Sequence, residues 1–329
     1  MPVKRDLLKH FLLVQDALKQ FNGEAYLNAN TFFLELHLGA HSFTMYPQFV
    51  VFVDGKTKRY TATFSPEVVR FAGWRPYVNK MVQEFSDKLQ VKKQLITKGF
   101  NTPGHSTQSN NDMSDVIIKL AVSSFGDTIR GPFKTSAGIN LDPKAGEYFE
   151  QFIRGQIIKA WFWNGVPICF ESEDMPTITG NGIHTIKQLV LDRTAHLKNR
   201  KLKTIEDILA YQDKAMDTVL ADGETILIDF RNASKFAPMG NIKDNLVSKH
   251  ENRIMTEQLF KIGRFFYDMT PERIRTNFAF TVDAILDENN KMWFLEVNTN
   301  PIIHPYLYPY IVESLTKSRQ QLPAGNVIH

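Results

Sequence analysis

The chain has 329 residues and a formal net charge of +4, with 43% hydrophobic and 22% charged side chains, the balance of a soluble globular protein with a sizeable core divided into two or three lobes. The slight basic excess suits a phosphate-rich ligand but is too small for a nucleic-acid-binding surface, and the single cysteine, Cys169, excludes an intrachain disulfide or a cysteine-cluster zinc site and fits a reducing compartment. Lys9 and His10 interrupt the apolar positions near the N-terminus, no run is long enough to span a membrane, and a cytoplasmic location is expected.

Leu7, Leu8, Phe11 and Leu18 have the spacing of an amphipathic first helix. FFLELHL and FVVFVDGKTKRYTATF then read as strands, with Asp54-Gly55 as a hairpin turn. Pro66 through Phe85 looks helical in part, broken at Gly73 and Pro76. A helix over Ser86 to Lys98 follows, with Ser86 as its N-cap and Gly99 as its stop.

After the polar loop SNNDMSD comes the apolar strand VIIKL, in which Lys119 needs an anion or a route to water. SSFGDTIRG, Ser123 to Gly131, combines hydroxyls with glycines whose backbone N–H groups can approach phosphate, although it lacks the spacing of either common glycine-rich nucleotide motif. From Glu147 the pattern gives a strand, a break at Gly155 and two strands turning at Asn164-Gly165. Thr185 and Gln188 have capping-box spacing, so a helix starts there, and His184 just before it serves structure. A basic helical segment, the strand ETILIDF, the loop RNASKFAPMGN and a long helix from His250 to Asp268 complete the approach to the C-terminal hairpin.

That hairpin, Phe278 to Val297, turns at Asp287 to Asn290. Symmetric closure predicts Asp283 opposite Phe294, which puts Asp283, Glu296 and Asn298 on one face with the two carboxylates diagonal, roughly 7 to 8 Å apart at the backbone. Two carboxylates and an amide oxygen form a hard-oxygen set of the kind Mg2+ prefers; a solvated polar face is the plainer reading of the same spacing.

The order of these features resembles the ATP-grasp superfamily between Ser86 and Pro309, most closely, through PTITGNGIHTIKQLV, the ATP-grasp domain of cyanophycin synthetase and the related glutathione and glutamate ligases. The resemblance implies an α+β, ATP-grasp fold in which two α+β subdomains clasp ATP: residues 86–153 with the phosphate lid and residues 154–329 with the metal site, preceded by a smaller N-terminal α/β domain, residues 1–85. It implies ATP contacts from Lys88, Lys119, the lid residues Ser123, Ser124, Phe125 and Gly126, and the adenine hinge Glu150, Gln151, Phe152 and Ile153. It further implies Mg2+, as two ions that Mn2+ can replace, on Asp283, Glu296 and Asn298, and places Arg231, Asn232 and Lys159 near the reacting groups.

The activity so implied is ATP-dependent ligation of a carboxylate to an amine through an acyl phosphate, with an ATP-grasp kinase or a non-catalytic ATP-binding protein as alternatives. Small-molecule or peptide carboxylate and amine substrates are the expected partners, with a homodimer admitted and neither nucleic acid nor membrane. The chain departs from the family at Gln156 and Ile157, where a ribose-contacting acid is expected, at Lys159 in place of an arginine, at Asn181 in place of the aspartate of GDG, and at Ile302, where glycine is frequent. His304, in PIIHPYLYPY, is a candidate substrate contact.

Overall fold

The computed structural model describes residues 2–53, 57–109, 112–122, 129–194, 205–231, 234 and 243–320. It is a mixed α+β chain built on two central sheets and an N-terminal sheet, and no helix among the described residues is long and apolar enough to cross a membrane.

The N-terminal part runs from helix α1 (Pro2–Lys19) through strands β1 (Glu24–Leu27), β2 (Leu34–Leu38), β3 (His41–Val53), β4 (Thr57–Thr61) and β5 (Val68–Arg75). The turn of the β3–β4 hairpin at Asp54-Gly55 lies outside the described residues; Val53 pairs with Thr57, which leaves three residues between the strands where a two-residue turn would leave two. The stretch expected to be partly helical after Pro66 is instead β5, paired with β3, followed by a single 3-10 turn at Gln83–Phe85. Its Val68, Val69, Phe71 and Trp74 favour a pleated surface over a helix, and Gly73, at φ +97°, bends the strand where it passes Ile303.

Helix α2 (Lys88–Thr97) is capped by Asp87, which accepts from the Leu89 and Gln90 amides, not by Ser86, whose hydroxyl bonds back to Gln83 O in the preceding turn. Gly99 ends it at φ +76°. The smaller central sheet follows, in the order β6 (His105–Ser106), β9 (Glu147–Gln151), β7 (Ser114–Leu120), β8 (Arg130–Thr135).

The larger sheet contains β10 (Gln156–Trp163) and β11 (Val166–Asp174), joined at Asn164-Gly165, where both residues have positive φ. Beyond the short pair β12 (Thr177–Thr179) and β13 (Thr225–Leu227) and the helices α3 (Ile186–Arg193) and α4 (Glu206–Tyr211), the sheet is completed by β14 (Lys243–Leu246), β15 (Ala279–Leu286) and β16 (Met292–Thr299), in the order β14-β11-β10-β15-β16. The Thr185–Gln188 capping box is present as expected at the start of α3.

One face of the larger sheet buries Ile158, Phe162, Phe280, Val282 and Phe294 against helix α5 (Arg253–Met269), with Phe162 and Phe280 stacked at 4.8 Å. After the short α6 (Glu272–Arg275), β15 and β16, the chain closes with α7 (Tyr308–Gln320), which returns to α1 and shares the N-terminal core of Val14, Leu18, Phe49, Phe71 and Trp74. The Tyr308 hydroxyl fastens this closure, contacting His10 Nδ1 at 2.7 Å and accepting from the Trp74 amide.

Helix α5 sits close enough to the β10–β11 turn that a Cβ on Gly263 would lie 2.4 Å from the Gly165 carbonyl and 2.7 Å from the Phe162 ring. Gly263→Ala therefore forces backbone apart in a filled core and should cost about 1–3 kcal/mol, read as a lower urea midpoint at unchanged m-value.

Candidate active site

The site grows out of one register row across the larger sheet. Asp244 on β14 pairs with Glu171 on β11, Glu171 with Lys159 on β10, Lys159 with Asp283 on β15, and Asp283 with Glu296 on β16. Directly paired residues share a face, so five charged side chains stand in line on the face away from α5. The row lies between two apolar clusters on that face, one containing Ile157 and Ile285, the other Trp161, Trp163 and Ala279.

The pairing of Asp283 differs from the expectation. It opposes Glu296 directly, for two reasons: the turn closes one residue away from symmetric closure, so that Ala284 opposes Phe294, and the register then slips between Asp283 and Ala284 and leaves Leu295 as an extra residue in β16. This β-bulge lets Met292, Phe294 and Val297 all reach the α5 core while Glu296 and Asn298 face the site. The three expected ligands converge more tightly than a diagonal pair would: Asn298 Nδ2 donates to Asp283 Oδ2 at 3.1 Å and to Glu296 Oε1 at 3.4 Å.

Lysines meet these carboxylates from both lobes. Lys159 Nζ donates to Asp283 Oδ1 at 2.8 Å, and Lys88, at the first turn of α2, lies 3.4 Å from Glu296 Oε2. On the smaller sheet Lys119 donates to Glu150 Oε1 at 2.7 Å, while Lys92 reaches Glu150 Oε2 at 2.9 Å and also donates to Thr102. Tyr148 adds a hydroxyl to Glu150.

Electrostatics joins the two clusters. Burial would raise the Glu150 carboxyl, but Lys119 and Lys92 outweigh it and hold it at about 2. Burial likewise opposes the charge on Lys119, yet Glu150, and further off Glu296 and Asp283, keep its pKa above the ordinary value. Burial pushes the Asp283 carboxyl up against the pull of Lys159, with Glu296 adding repulsion, whereas Lys88 and Lys119 hold Glu296 below its usual range. Two carboxylates crowded so that one resists ionisation are a setting that a divalent cation relieves.

The donor set therefore fits Mg2+: two carboxylates and an amide converge, and Asn298 need only turn its amide over to present Oδ1. Thr281, the cross-strand partner of Asn298, has a fully buried hydroxyl without a hydrogen-bond partner, so polar capacity at this end of the row is unfilled.

Other expected site residues lie apart from this convergence. Arg231 bonds to Asp229 at 2.8 Å and to the Ile129 carbonyl at 3.0 Å, which ties it to the entrance of β8. The hinge amides of Gln151 and Phe152 donate to Gly104 O and Asp115 O, and the Phe152 ring packs on Tyr211 and Phe230. Ile153, half-buried, follows β9. Ser123, Ser124, Phe125, Gly126 and Asn232 lie outside the described residues.

Sequence reasoning missed Lys92, Tyr148, Glu171 and Asp244. For Lys92 a signal existed: Lys88, Val91, Lys92 and Leu95 have the i, i+3, i+4, i+7 spacing of a buried helix face, and all four are buried.

No protein-family profile matches the chain, and no curated protein matches it in sequence. Among solved structures it is similar to a bifunctional glutathione synthetase from Pasteurella multocida, at TM-score 0.41 and 16% identity over 96% of this chain and 45% of that one. It is also similar to the D-alanine-D-alanine ligase from Coxiella burnetii (TM-score 0.35, 14% identity, 72% of this chain and 59% of that) and to the ATP-grasp ligase PsnB (0.37, 11%, 72% and 61%). The chain thus spans less than half the length of that synthetase and about three-fifths of the other two ligases. At these scores the chemistry is argued from the residues alone.

Lys92 is fully buried, and its removal strands part of the Glu150 charge. Lys92→Met should destabilise the protein by about 3–5 kcal/mol, with Glu150→Gln added in the same background recovering part of the loss. Because Glu150 is depressed from 4.5 to about 2, its contribution is complete at neutral pH and fades as pH falls from 4.5 towards 2. Urea unfolding across that range should show a shallower acid limb in the Lys92→Met variant.

Proposed function

We propose that this chain is an ATP- and Mg2+-dependent ligase that joins a carboxylate to an amine and releases ADP and phosphate. The supporting observation is that Lys88 meets Glu296 of the converging Asp283, Glu296 and Asn298 set, while Lys119, bonded to Glu150, acts on the charge of Glu296. Lysines alone would serve many anions. Lysines facing a hard-oxygen set across a cleft suit a polyphosphate that arrives with its divalent cation.

A carboxylate is a poor acylating agent because its leaving group would be oxide. In the proposed reaction its oxygen forms a bond to the γ-phosphorus, the bond to the ADP oxygen breaks, and an acyl phosphate results. The amine nitrogen then bonds to the acyl carbon, the C–O bond to phosphate breaks, and the ammonium proton is given up.

The protein's tasks are alignment and charge neutralisation. Lys88 and Lys119 take the phosphate oxygens, exchanging carboxylate partners for them. Asp283, Glu296 and Asn298 hold the cation, which supplies charge neutralisation on the phosphates when bound. Lys159, bonded to Asp283, fixes that carboxylate. Arg231, bonded to Asp229 and to the Ile129 carbonyl, is the proposed partner of the charge that develops on the acyl phosphate.

Screening amino acids and short peptides for Mg2+-dependent ADP release, with mass spectrometry of the products, tests the reading. An amide with free phosphate is the expected result, and phosphate retained on a hydroxyl would replace the ligase with a kinase. Glu296→Gln should lower turnover by about a hundredfold or more at saturating Mg2+; near-normal turnover would remove Glu296 from the metal set.

A further inference from the structure

The far end of the charged row is not used by nucleotide or metal. Glu171 and Asp244 are cross-strand partners, and His304, from the segment after β16, brings Nε2 to 3.5 Å from Asp244 Oδ1 and 3.9 Å from Glu171 Oε1. These three side chains present their polar atoms within 4.8 Å of one another. The His304 side chain is only 5% exposed, yet its Nε2 is aimed between the two carboxylates at distances longer than an ordinary hydrogen bond. Glu171 also stands beside Lys159, but that lysine is bonded to Asp283. Among the described residues no lysine or arginine is bonded to Glu171 or Asp244, so two converging carboxylates with only a histidine between them have the form of a cation subsite.

The imidazole decides which kind of cation. Its Nδ1 accepts the Tyr306 amide, so in the neutral ring Nε2 carries the proton and offers an N–H rather than a lone pair. Burial lowers the His304 pKa, with Asp244 opposing, so the ring is uncharged and does not itself neutralise the carboxylates. Ligating a metal would require the ring to give up the Tyr306 bond. A donor-rich organic cation needs only the carboxylate oxygens, and the aromatic ring of Tyr306, 39% exposed and packed 5.0 Å from His304, offers a face beside them.

The subsite is two strand spacings from Asp283, roughly 9–10 Å along the row, a span that a basic amino acid or short diamine covers. The N-terminal sheet borders it, because Arg70 on β5 acts on the charge of Glu171 and Tyr60 on β4 on that of Lys159.

We propose that Glu171 and Asp244, backed by His304, bind a protonated amine or guanidinium of the substrate, so that the substrate class of this site is basic amino acids, their peptides or short diamines. This rests on the ligase reading for its chemical consequence but is testable by binding alone.

The groups facing Glu171 are Asp244 on β14, Lys159 on β10, Arg70 on β5, Glu173 on its own strand and His304. Burial, then Asp244, raise the Glu171 carboxyl to about 7 against the pull of Lys159 and Arg70. It is ionised above that pH, so affinity for an organic cation should rise between pH 6 and pH 8.

Isothermal titration of the full chain with L-lysine and agmatine, against L-norleucine and L-glutamate, tests the subsite, with binding of a non-hydrolysable ATP analogue and Mg2+ measured separately. The expected result is at least about a tenfold preference for L-lysine over L-norleucine, lost by about tenfold in Glu171→Gln and in the half-exposed Asp244→Asn, with the pH dependence flattened in Glu171→Gln. Equal affinity for lysine and norleucine, no binding of either cation, or unchanged binding in both variants would overturn it. Mn2+ bound without nucleotide, lost in Glu171→Gln and not displaced by lysine, would also overturn it in favour of a metal. If the cations bind as expected and the nucleotide analogue does not, the ligase reading fails and the subsite stands.

Discussion

The neutralisation of buried and half-buried carboxylates by lysines on neighbouring strands and on α2 is the interaction on which the rest of this structure depends. Glu150 is held by Lys119 and Lys92, Asp283 by Lys159, and Glu296 by Lys88. Pairs of this kind are costly: desolvation consumes most of their attraction, and well-packed apolar side chains of similar volume would often be as stable or more so. A chain that commits four lysines and three acids to one region, beside apolar clusters on the same sheet face, has given up stability there. That concession is intelligible where the cleft must accept a highly charged ligand and exchange partners with it.

The bulge at Leu295 is what makes the cleft's floor work. Strict alternation along β16 would carry Met292, Phe294 and Glu296 to the same face. Glu296 would then enter the α5 core, or the two apolar residues would face the row. One extra residue resolves the conflict, and the apolar set becomes Met292, Phe294 and Val297 while Glu296 and Asn298 oppose Asp283 and Thr281. The same device bends the strand locally, and it sits beside Asp283, Glu296 and Asn298, the proposed metal ligands.

Much of this was legible in the sequence wherever the signal is local. Alternation located β15 and β16, the Thr185–Gln188 spacing located α3, and Asn164-Gly165 located the β10–β11 turn, because each depends on residues within a few positions. The N-cap of α2 shows how local competition shifts a boundary: Ser86 was engaged by the preceding turn, leaving Asp87 to cap. Register was not legible: the turn closes one residue away from symmetric closure, pairing Ala284 rather than Asp283 with Phe294, and no local pattern announces the further slip at Leu295. Glu171, Asp244 and Lys92 were illegible as site residues for a different reason. Their roles arise from pairing across strands and lobes far apart in sequence, and a lone acid on a strand has nothing in its neighbours to distinguish it from a solvated edge.

On the ligase reading, the charges at the metal and lysine end of the site explain why cation and polyphosphate would bind together. Lys88, Lys92, Lys119 and Lys159 against Glu150, Asp283 and Glu296 leave a single formal positive charge there, too little for a polyphosphate alone and too much for a bare divalent cation to be drawn in strongly. In the proposed reaction each ligand would supply the charge the other needs: a phosphate oxygen taking Lys88 from Glu296 would leave that carboxylate a better ligand for the cation. Since Lys88 stands on α2 while Glu296 stands on β16, this exchange would be made between elements far apart in the chain. On that reading the geometry that neutralises Glu296 is the same geometry that would couple binding of the two charged ligands to one another.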